Sequence, residues 1–210
     1  MLDEQEFEVQ QSATMCDLPR PVRDPETRRI LDAAWWVLER SHFRSLKVRQ
    51  VLTASNTSAS NFYRRFPSKA HLLLALLEDE VHLVEGQLRD RIDPDTSAAE
   101  QMEVWLRYNI GILYHQRRAQ RARLFVDQTL MELLPDQVTA LYGAGDRYLS
   151  EIIRHGMNRG ELRDGDPLRA AMLVGNLIRG LLTGGSASQS SEDDLVAHVH
   201  DFVMRALNPA

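Results

Sequence analysis

The residues best suited to chemistry lie close together between Asn56 and Lys69, where the sequence reads NTSASNFYRRFPSK. Small polar residues lead into Tyr63, two arginines follow it, and Lys69 ends the stretch. A phenolic hydroxyl and several cations can hold phosphate groups, and small side chains before them let the backbone come close to a partner. This stretch therefore predicts a surface that contacts an anionic molecule.

The charge of the chain is distributed unevenly along its length. The net charge is −5 at pH 7, yet residues 20–69 carry eleven Lys and Arg against four Asp and Glu. Residues 1–19 carry five acids and no Lys or Arg, and residues 70–210 carry 21 acids against 14 bases. A basic segment inside an acidic chain indicates a local anionic partner. Chance clustering of charge is the alternative explanation.

The elements around this stretch are expected to be short helices. Asp24 followed by Pro25 is a typical helix start, and apolar residues then recur at helical spacing to about residue 41. A second helix is expected to end near Asn56, which tolerates the left-handed conformation of a tight turn. Ser58 is the expected N-cap of a third helix, whose Phe62 and Phe66 lie on its inner face.

A long fourth helix, capped by Ser68, is expected to run to about Arg91. Two short helices joined by a turn of three or four residues are typical of a helix-turn-helix, whose second helix enters the major groove of DNA. Apolar periodicity and stop signals predict further helices, and we find no alternating strand pattern. The sequence therefore predicts an all-α protein, with later helices at about 96–115, 118–133, 136–159, 167–184 and 192–207.

The third helix assigns roles to its residues if it is the recognition helix. Its first turn, capped by Ser58, comprises Ala59, Ser60 and Asn61, whose side chains can meet base edges. Asn61 is the best base reader because its amide can pair bidentately with adenine, although Asn near a helix start also bonds backbone. The remaining polar residues are expected to hold phosphate, the alternative being a solvated helix face: Tyr63, Arg64, Arg65 and Lys69.

The run from Ile30 to Asp79 resembles the DNA-binding domain of the tetracycline-repressor (TetR) family of bacterial transcription regulators. The segments ILDAAWWVLERSHF and VRQVLTASNTSASNFYRRFPSKAHLLLALLED carry the resemblance, and SNFYRRFPSKAHLL is its most specific portion. The resemblance implies that Arg49 contacts a base or phosphate. The sequence departs from the family pattern at a turn Gly, a helix-capping Ser or Thr, a small Ala and a Gly-Val pair, where it has His42, Lys47, Leu52 and Asn56-Thr57.

Polar residues that end in PRPV predict a flexible acidic arm at 1–22. The same resemblance implies a helix-turn-helix domain at 23–69, joined by a helix to about 91 to an effector-binding and dimerisation domain at 92–210. The aromatic and polar residues expected to line an effector pocket are Trp105, Tyr108, Asn109 and Tyr148. The last two helices are expected to form a homodimer interface through Ala171, Gly175, Ile178, Leu182, Val199 and Phe202. Such a dimer would place two recognition helices about 34 Å apart on a pseudo-palindromic operator in double-stranded DNA.

Catalytic and cofactor signatures are not found in the sequence. It contains no HExxH, GxSxG or phosphate-binding glycine loop, and the single Cys16 forms neither a CxxC pair nor an internal disulfide. We therefore expect no enzyme, metal or cofactor, and a cytoplasmic protein without membrane spans or a signal peptide. The alternatives are a helical small-molecule-binding protein with an incidental basic segment, or a regulator acting mainly through protein partners.

Overall fold

A computed structural model describes residues 22–40, 46–122, 126, 128–184 and 190–208 of the chain. The described residues contain helices and no strand, which confirms the all-α prediction. The helices are α1 (Pro25–Leu38), α2 (Val48–Ser55), α3 (Ala59–Arg65), α4 (Lys69–Arg89), α5 (Ala98–Gly111), a 3₁₀ turn (Ile112–Tyr114), α6 (Gln116–Ala122), α7 (Gln128–Leu133), α8 (Pro135–Asn158), α9 (Pro167–Gly184) and α10 (Glu192–Leu207). Residues 1–21 of the expected acidic arm and His42 lie outside the described residues.

Serine side chains start several of these helices by accepting hydrogen bonds from free backbone N–H groups. Ser68 accepts from His71 N at the start of α4, and Ser191 accepts from Asp194 N at the start of α10. At the start of α5, Ser97 accepts from Glu100 N while the Glu100 carboxylate accepts from Ser97 N. These caps fix helix starts that the sequence pattern had located.

Two hydrophobic cores hold the helices together, and α4 contributes to both. The first core joins α1, α2, α3 and the first half of α4 to α7 and the start of α8, with Leu130, Val138 and Ala144 among its buried side chains. The second core lies among the end of α4, α5, the rest of α8, α9 and α10. Residues 130–144 therefore pack with the helix-turn-helix, although they lie far from it in the sequence.

The predicted helix at 118–133 is wrong as a single element. α6 ends at Ala122 and α7 begins at Gln128. Ala122 is buried beside the cavity described below, whereas Leu130 is buried in the first core. Because the two pieces pack in different places, tertiary packing overrides the apolar periodicity that runs through both.

Candidate nucleic-acid interface and ligand cavity

The first turn of α1 is fixed by Asp24, as the sequence predicts. The Asp24 carboxylate accepts hydrogen bonds from the backbone N–H of Glu26 and of Thr27, both at 3.1 Å. The side-chain and backbone hydrogen bonds from Thr27 stabilise the charged form and lower the pKa of Asp24 to about 2. Pro25 occupies the first helical position, where its missing N–H costs nothing.

The turn between α2 and α3 is built by Asn56, Thr57 and Ser58. Asn56 adopts the left-handed conformation, with φ 50° and ψ 45°, and ends α2. Ser58 Oγ then accepts from Asn61 N at 3.2 Å, which starts α3. Phe62 is fully buried and Phe66 is nearly so, and both anchor α3 on the first core. The predicted turn, cap and anchors are confirmed.

An exposed polar face remains on α3. Ser60 lies three residues before Tyr63 and four before Arg64, so it shares one side of the helix with both, and all three are exposed. The Tyr63 side chain is 51% exposed, with its ring edge against Phe62. Ser58 and Ala59 are also exposed at the start of the helix, as is Arg49 on α2. Lys69 is half-buried in the first turn of α4.

Asn61 and Arg65 are instead bonded to the start of α1. Asn61 Nδ2 donates to Glu26 Oε1 at 3.2 Å, and Arg65 Nη2 lies 2.5 Å from Glu26 Oε2. Arg65 Nε also donates to Thr27 Oγ1 at 3.2 Å, and a weaker ion pair reaches Asp24. In this conformation the Arg65 guanidinium therefore pairs with acids 39 and 41 residues away in sequence, and its contact with phosphate stays a prediction.

A cavity of about 120 Å³ lies among α4, α5, α6, α8 and α9. Its lining is mainly apolar, and it includes Trp105, Asn109 and Tyr148, three of the four residues predicted for the effector pocket. Tyr108 does not line this cavity. Its hydroxyl donates to Gln87 Oε1 at 2.7 Å, and its ring lies beneath the guanidinium of Arg118. The Tyr108 side chain therefore packs outside the cavity lining.

Charged side chains also face the cavity, and the sequence reasoning missed them. The clearest is Asp146, which is buried and whose pKa is raised by that burial. Arg179 Nη1 lies 3.7 Å from Asp146 Oδ1, and its positive charge partly offsets the free-energy cost of burying the carboxylate. A Cβ on Gly175 would lie 2.6 Å from Asp146 Oδ1, so glycine there makes room for the carboxylate. The residues around Asp146 in the sequence carry no motif that predicts this site.

Most of the residues predicted for the dimer interface face inward in this subunit, and their role in an interface stays a prediction. Ala171 and Val199 are buried in the second core, and Gly175, Ile178 and Leu182 line the cavity. Only Phe202 of the six is exposed, with 61% of its surface accessible. Small and apolar residues at helical spacing fill the subunit's own core here. Other apolar side chains on α9 are exposed instead, namely Leu168, Met172 and Leu173.

A family model described as "Bacterial regulatory proteins, tetR family" matches residues 30–76, which span most of α1, α2, α3 and the first part of α4. Over these residues the chain is similar to the TetR family. It is also similar to the HTH-type transcriptional repressor KstR of Rhodococcus jostii (strain RHA1), with 28% identity over 90 residues. That match covers 43% of this chain and 42% of KstR, less than half the length of either protein.

Solved structures share the fold of this protein over most of its length. The fatty acid degradation regulator FadR from Bacillus halodurans matches with a TM-score of 0.71 and 17% identity, covering 88% of this chain and 97% of that one. FadR from Bacillus subtilis, solved in complex with stearoyl-CoA, also has a TM-score of 0.71 and 17% identity, covering 84% of this chain and 97% of that one. At this identity the likeness supports the fold alone.

Two departures from the TetR-family pattern are accommodated locally. Lys47 precedes α2 and its ammonium cannot accept a capping bond, but Gln50 Oε1 accepts from Lys47 N at 3.0 Å. Leu52 is half-buried and packs against the first core, so the larger side chain has room. These substitutions leave the helix-turn-helix intact.

The described residues contain neither a metal site nor a membrane span. No group of three or more His, Cys, Asp or Glu side chains is placed there to hold a metal ion. No helix among those same residues is long and apolar enough to cross a membrane.

Proposed function

We propose that this protein is a sequence-specific DNA-binding transcriptional regulator, a repressor whose operator binding is relieved by a small-molecule effector. The observation that carries the proposal is the helix-turn-helix, in which α3 presents Ser60, Tyr63 and Arg64 on one exposed face. The family match over residues 30–76 and the similarity to a protein named as a transcriptional repressor support the same function.

In this proposal the DNA-binding unit is residues 23–69 and the regulatory unit is residues 92–210, with α4 connecting them. Exposed Arg49 and Arg64, with Tyr63 and Lys69, contact the phosphate backbone and position α3. Ser60 and the small residues before it approach base edges. Asn61 reads a base while Glu26 holds one side of its amide.

The effector site is the cavity bounded by Trp105, Asn109 and Tyr148. Mostly apolar walls with a few polar anchors are typical of small-molecule sites. The B. subtilis FadR structure contains stearoyl-CoA, which is consistent with a ligand-responsive regulator in this fold. Differential affinity for two conformers would couple the effector to DNA, on the usual scale of about 1–3 kcal/mol.

The functional unit is proposed to be a homodimer formed by α9 and α10. Leu168, Met172, Leu173 and Phe202 are exposed apolar side chains on these two helices. A two-fold interface would bury them and set two α3 helices about 34 Å apart for a pseudo-palindromic operator. Such a regulator acts in the cytoplasm, where the bacterial chromosome lies.

A gel shift with the DNA upstream of its own gene tests the proposal. The ligand-free protein is expected to retard this duplex at low salt, with an affinity that falls steeply as salt rises. Failure to bind at low salt would favour the alternative, a helical small-molecule-binding protein whose basic segment is incidental.

A further inference from the structure

We propose that Arg121 transmits the state of the cavity to the DNA-binding helices by sharing its charge between Glu80 and Glu39. This inference rests on the proposed function, because it describes how an effector in the cavity would change DNA binding. Glu80 lies on α4 and lines the cavity, whereas Glu39 is the C-cap residue of α1. Arg121 lies on α6 and contacts both.

The Arg121 guanidinium makes its closer contacts with Glu39. Nη2 and Nε donate to Glu39 Oε1 at 3.0 and 3.3 Å, and Nη1 lies 3.7 Å from Glu80 Oε2. The guanidinium also stacks over the Trp35 ring, 4.7 Å from its centroid, which holds it against α1. One cation therefore joins an acid from the DNA-binding unit to an acid from the cavity wall.

Burial gives these contacts more weight than a surface ion pair has. The side chains of Glu39 and Glu80 are only 11% and 15% exposed, so neither acid is well screened by water. Burial raises the pKa of Glu80, which shows that its charge is poorly solvated and depends on nearby arginines. Arg117 also reaches Glu39 at 3.2 Å, but its side chain is 82% exposed and screened by solvent.

Competition between the two acids makes this contact sensitive to a ligand. A cationic or hydrogen-bond-donating group of an effector at the Glu80 end of the cavity would pair with the Glu80 carboxylate in place of Arg121. Arg121 would then bind Glu39 alone, and α1 would be held more tightly to α6. The effector need not touch the DNA-binding unit, because differential interaction with two conformers is sufficient.

Another charged pair supplies a matched control. Glu85 also lies on α4 and lines the same cavity, but its partner is Arg89, at 2.9 Å. Arg89 further contacts Glu151 and the Tyr148 ring, both on α8. Glu85→Gln therefore removes a cavity-wall carboxylate without a direct contact to α1, whereas Glu80→Gln removes the competitor of Glu39.

Hydrogen exchange followed by mass spectrometry of the full chain tests the proposal without a ligand. Glu80→Gln imitates a Glu80 whose charge is neutralised by an effector. We therefore expect amide exchange over residues 35–40 to slow by about 5-fold or more, which is the lower end of the usual coupling between two binding sites. Glu85→Gln should leave this segment unchanged. In an Arg121→Gln background, Glu80→Gln should have no effect there, while exchange in α9 serves as the internal reference in each protein.

The proposal is overturned if Glu80→Gln leaves exchange over residues 35–40 unchanged, if Glu85→Gln slows it equally, or if the effect persists with Arg121→Gln. A parallel fluorescence anisotropy titration with an upstream duplex should show a change in Kd of about 5-fold for Glu80→Gln and none for Glu85→Gln. If the wild-type chain binds no duplex, the proposed function fails, and the exchange result still decides the Arg121 contact on its own.

Discussion

The side-chain amide of Asn61 on α3 donates a hydrogen bond to the Glu26 carboxylate on α1, with 3.2 Å between Nδ2 and Oε1. The second oxygen of Glu26 pairs with Arg65, one turn further along α3. A single acid therefore holds two polar residues of the proposed recognition helix. It orients the amide of Asn61 and withholds the charge of Arg65 from solvent.

Glu26→Ala is expected to release both residues. Losing charged hydrogen bonds from half-buried groups should lower the free energy of unfolding by about 1–3 kcal/mol. The freed Arg65 can then reach a phosphate, so the slope of log K against log salt should steepen by about 0.9. Urea unfolding and anisotropy titrations at several salt concentrations measure the two effects. Glu103→Ala on α5 is the control, and an unchanged slope in Glu26→Ala would contradict this role.

Charged substitutions on the exposed apolar side chains of α9 and α10 are expected to prevent dimerisation. Leu173 and Phe202 are 67% and 61% exposed, so Leu173→Glu with Phe202→Glu should leave the subunit core intact while placing charge in the interface. Sedimentation velocity should show a monomer for this double variant and a dimer for the wild-type chain. Leu133→Glu on α7, where leucine is 61% exposed, should remain dimeric. If the double variant stays dimeric, the interface lies elsewhere on the subunit.

Gly175→Ala is expected to disturb the cavity. Its Cβ would lie 2.6 Å from Asp146 Oδ1, so the carboxylate and its arginine must shift, at a cost of about 1–3 kcal/mol in unfolding free energy. Gly145→Ala on α8 meets no atom within 4 Å and should stabilise the helix by up to about 1 kcal/mol. Urea unfolding compares the two, and equal effects would mean that Gly175 has no such packing role.

Because burial raises the pKa of Asp146, the stability of the protein should depend on pH. The pKa of Asp146 is raised in the folded protein, so the folded state binds more protons between the ordinary value of 3.8 and the raised one. Stability from this group is therefore present below that window and is lost as pH rises through it. Asp146→Asn lacks the effect, so the wild-type chain should lose unfolding free energy relative to the variant as pH rises above the ordinary value of 3.8. If urea unfolding gives parallel pH profiles of unfolding free energy for the wild-type chain and Asp146→Asn, Asp146 does not cause this pH dependence.

Local signals in the sequence predicted the helix-turn-helix well. Asn56 and Ser58 act through backbone conformation and a hydrogen bond three residues away, and Phe62 needs only a nearby apolar face. These interactions are encoded within one or two turns of helix, so residue type and spacing are sufficient to predict them.

Contacts between residues that are distant in sequence could not be predicted in this way. Apolar periodicity identified the stripe containing Val199 but not which neighbour covers it, and the neighbour is the subunit's own core. A run of cations gave no sign that Arg65 would meet Asp24, nor did the sequence indicate that Asp146 would pack closely against Gly175. Tertiary contacts of this kind decide the roles of polar residues, and spacing alone does not reveal them.

Selection of bound duplexes from a random pool tests the central claim most directly. The wild-type chain should enrich a pseudo-palindrome whose half-site centres are about one helical turn of DNA apart, or a multiple of it. Tyr63→Ala combined with Lys69→Ala should lose affinity for the selected duplex while circular dichroism remains unchanged, and Tyr63→Phe should lose less. Failure to enrich any sequence, or equal affinity in the double variant, would contradict DNA recognition by this face of α3.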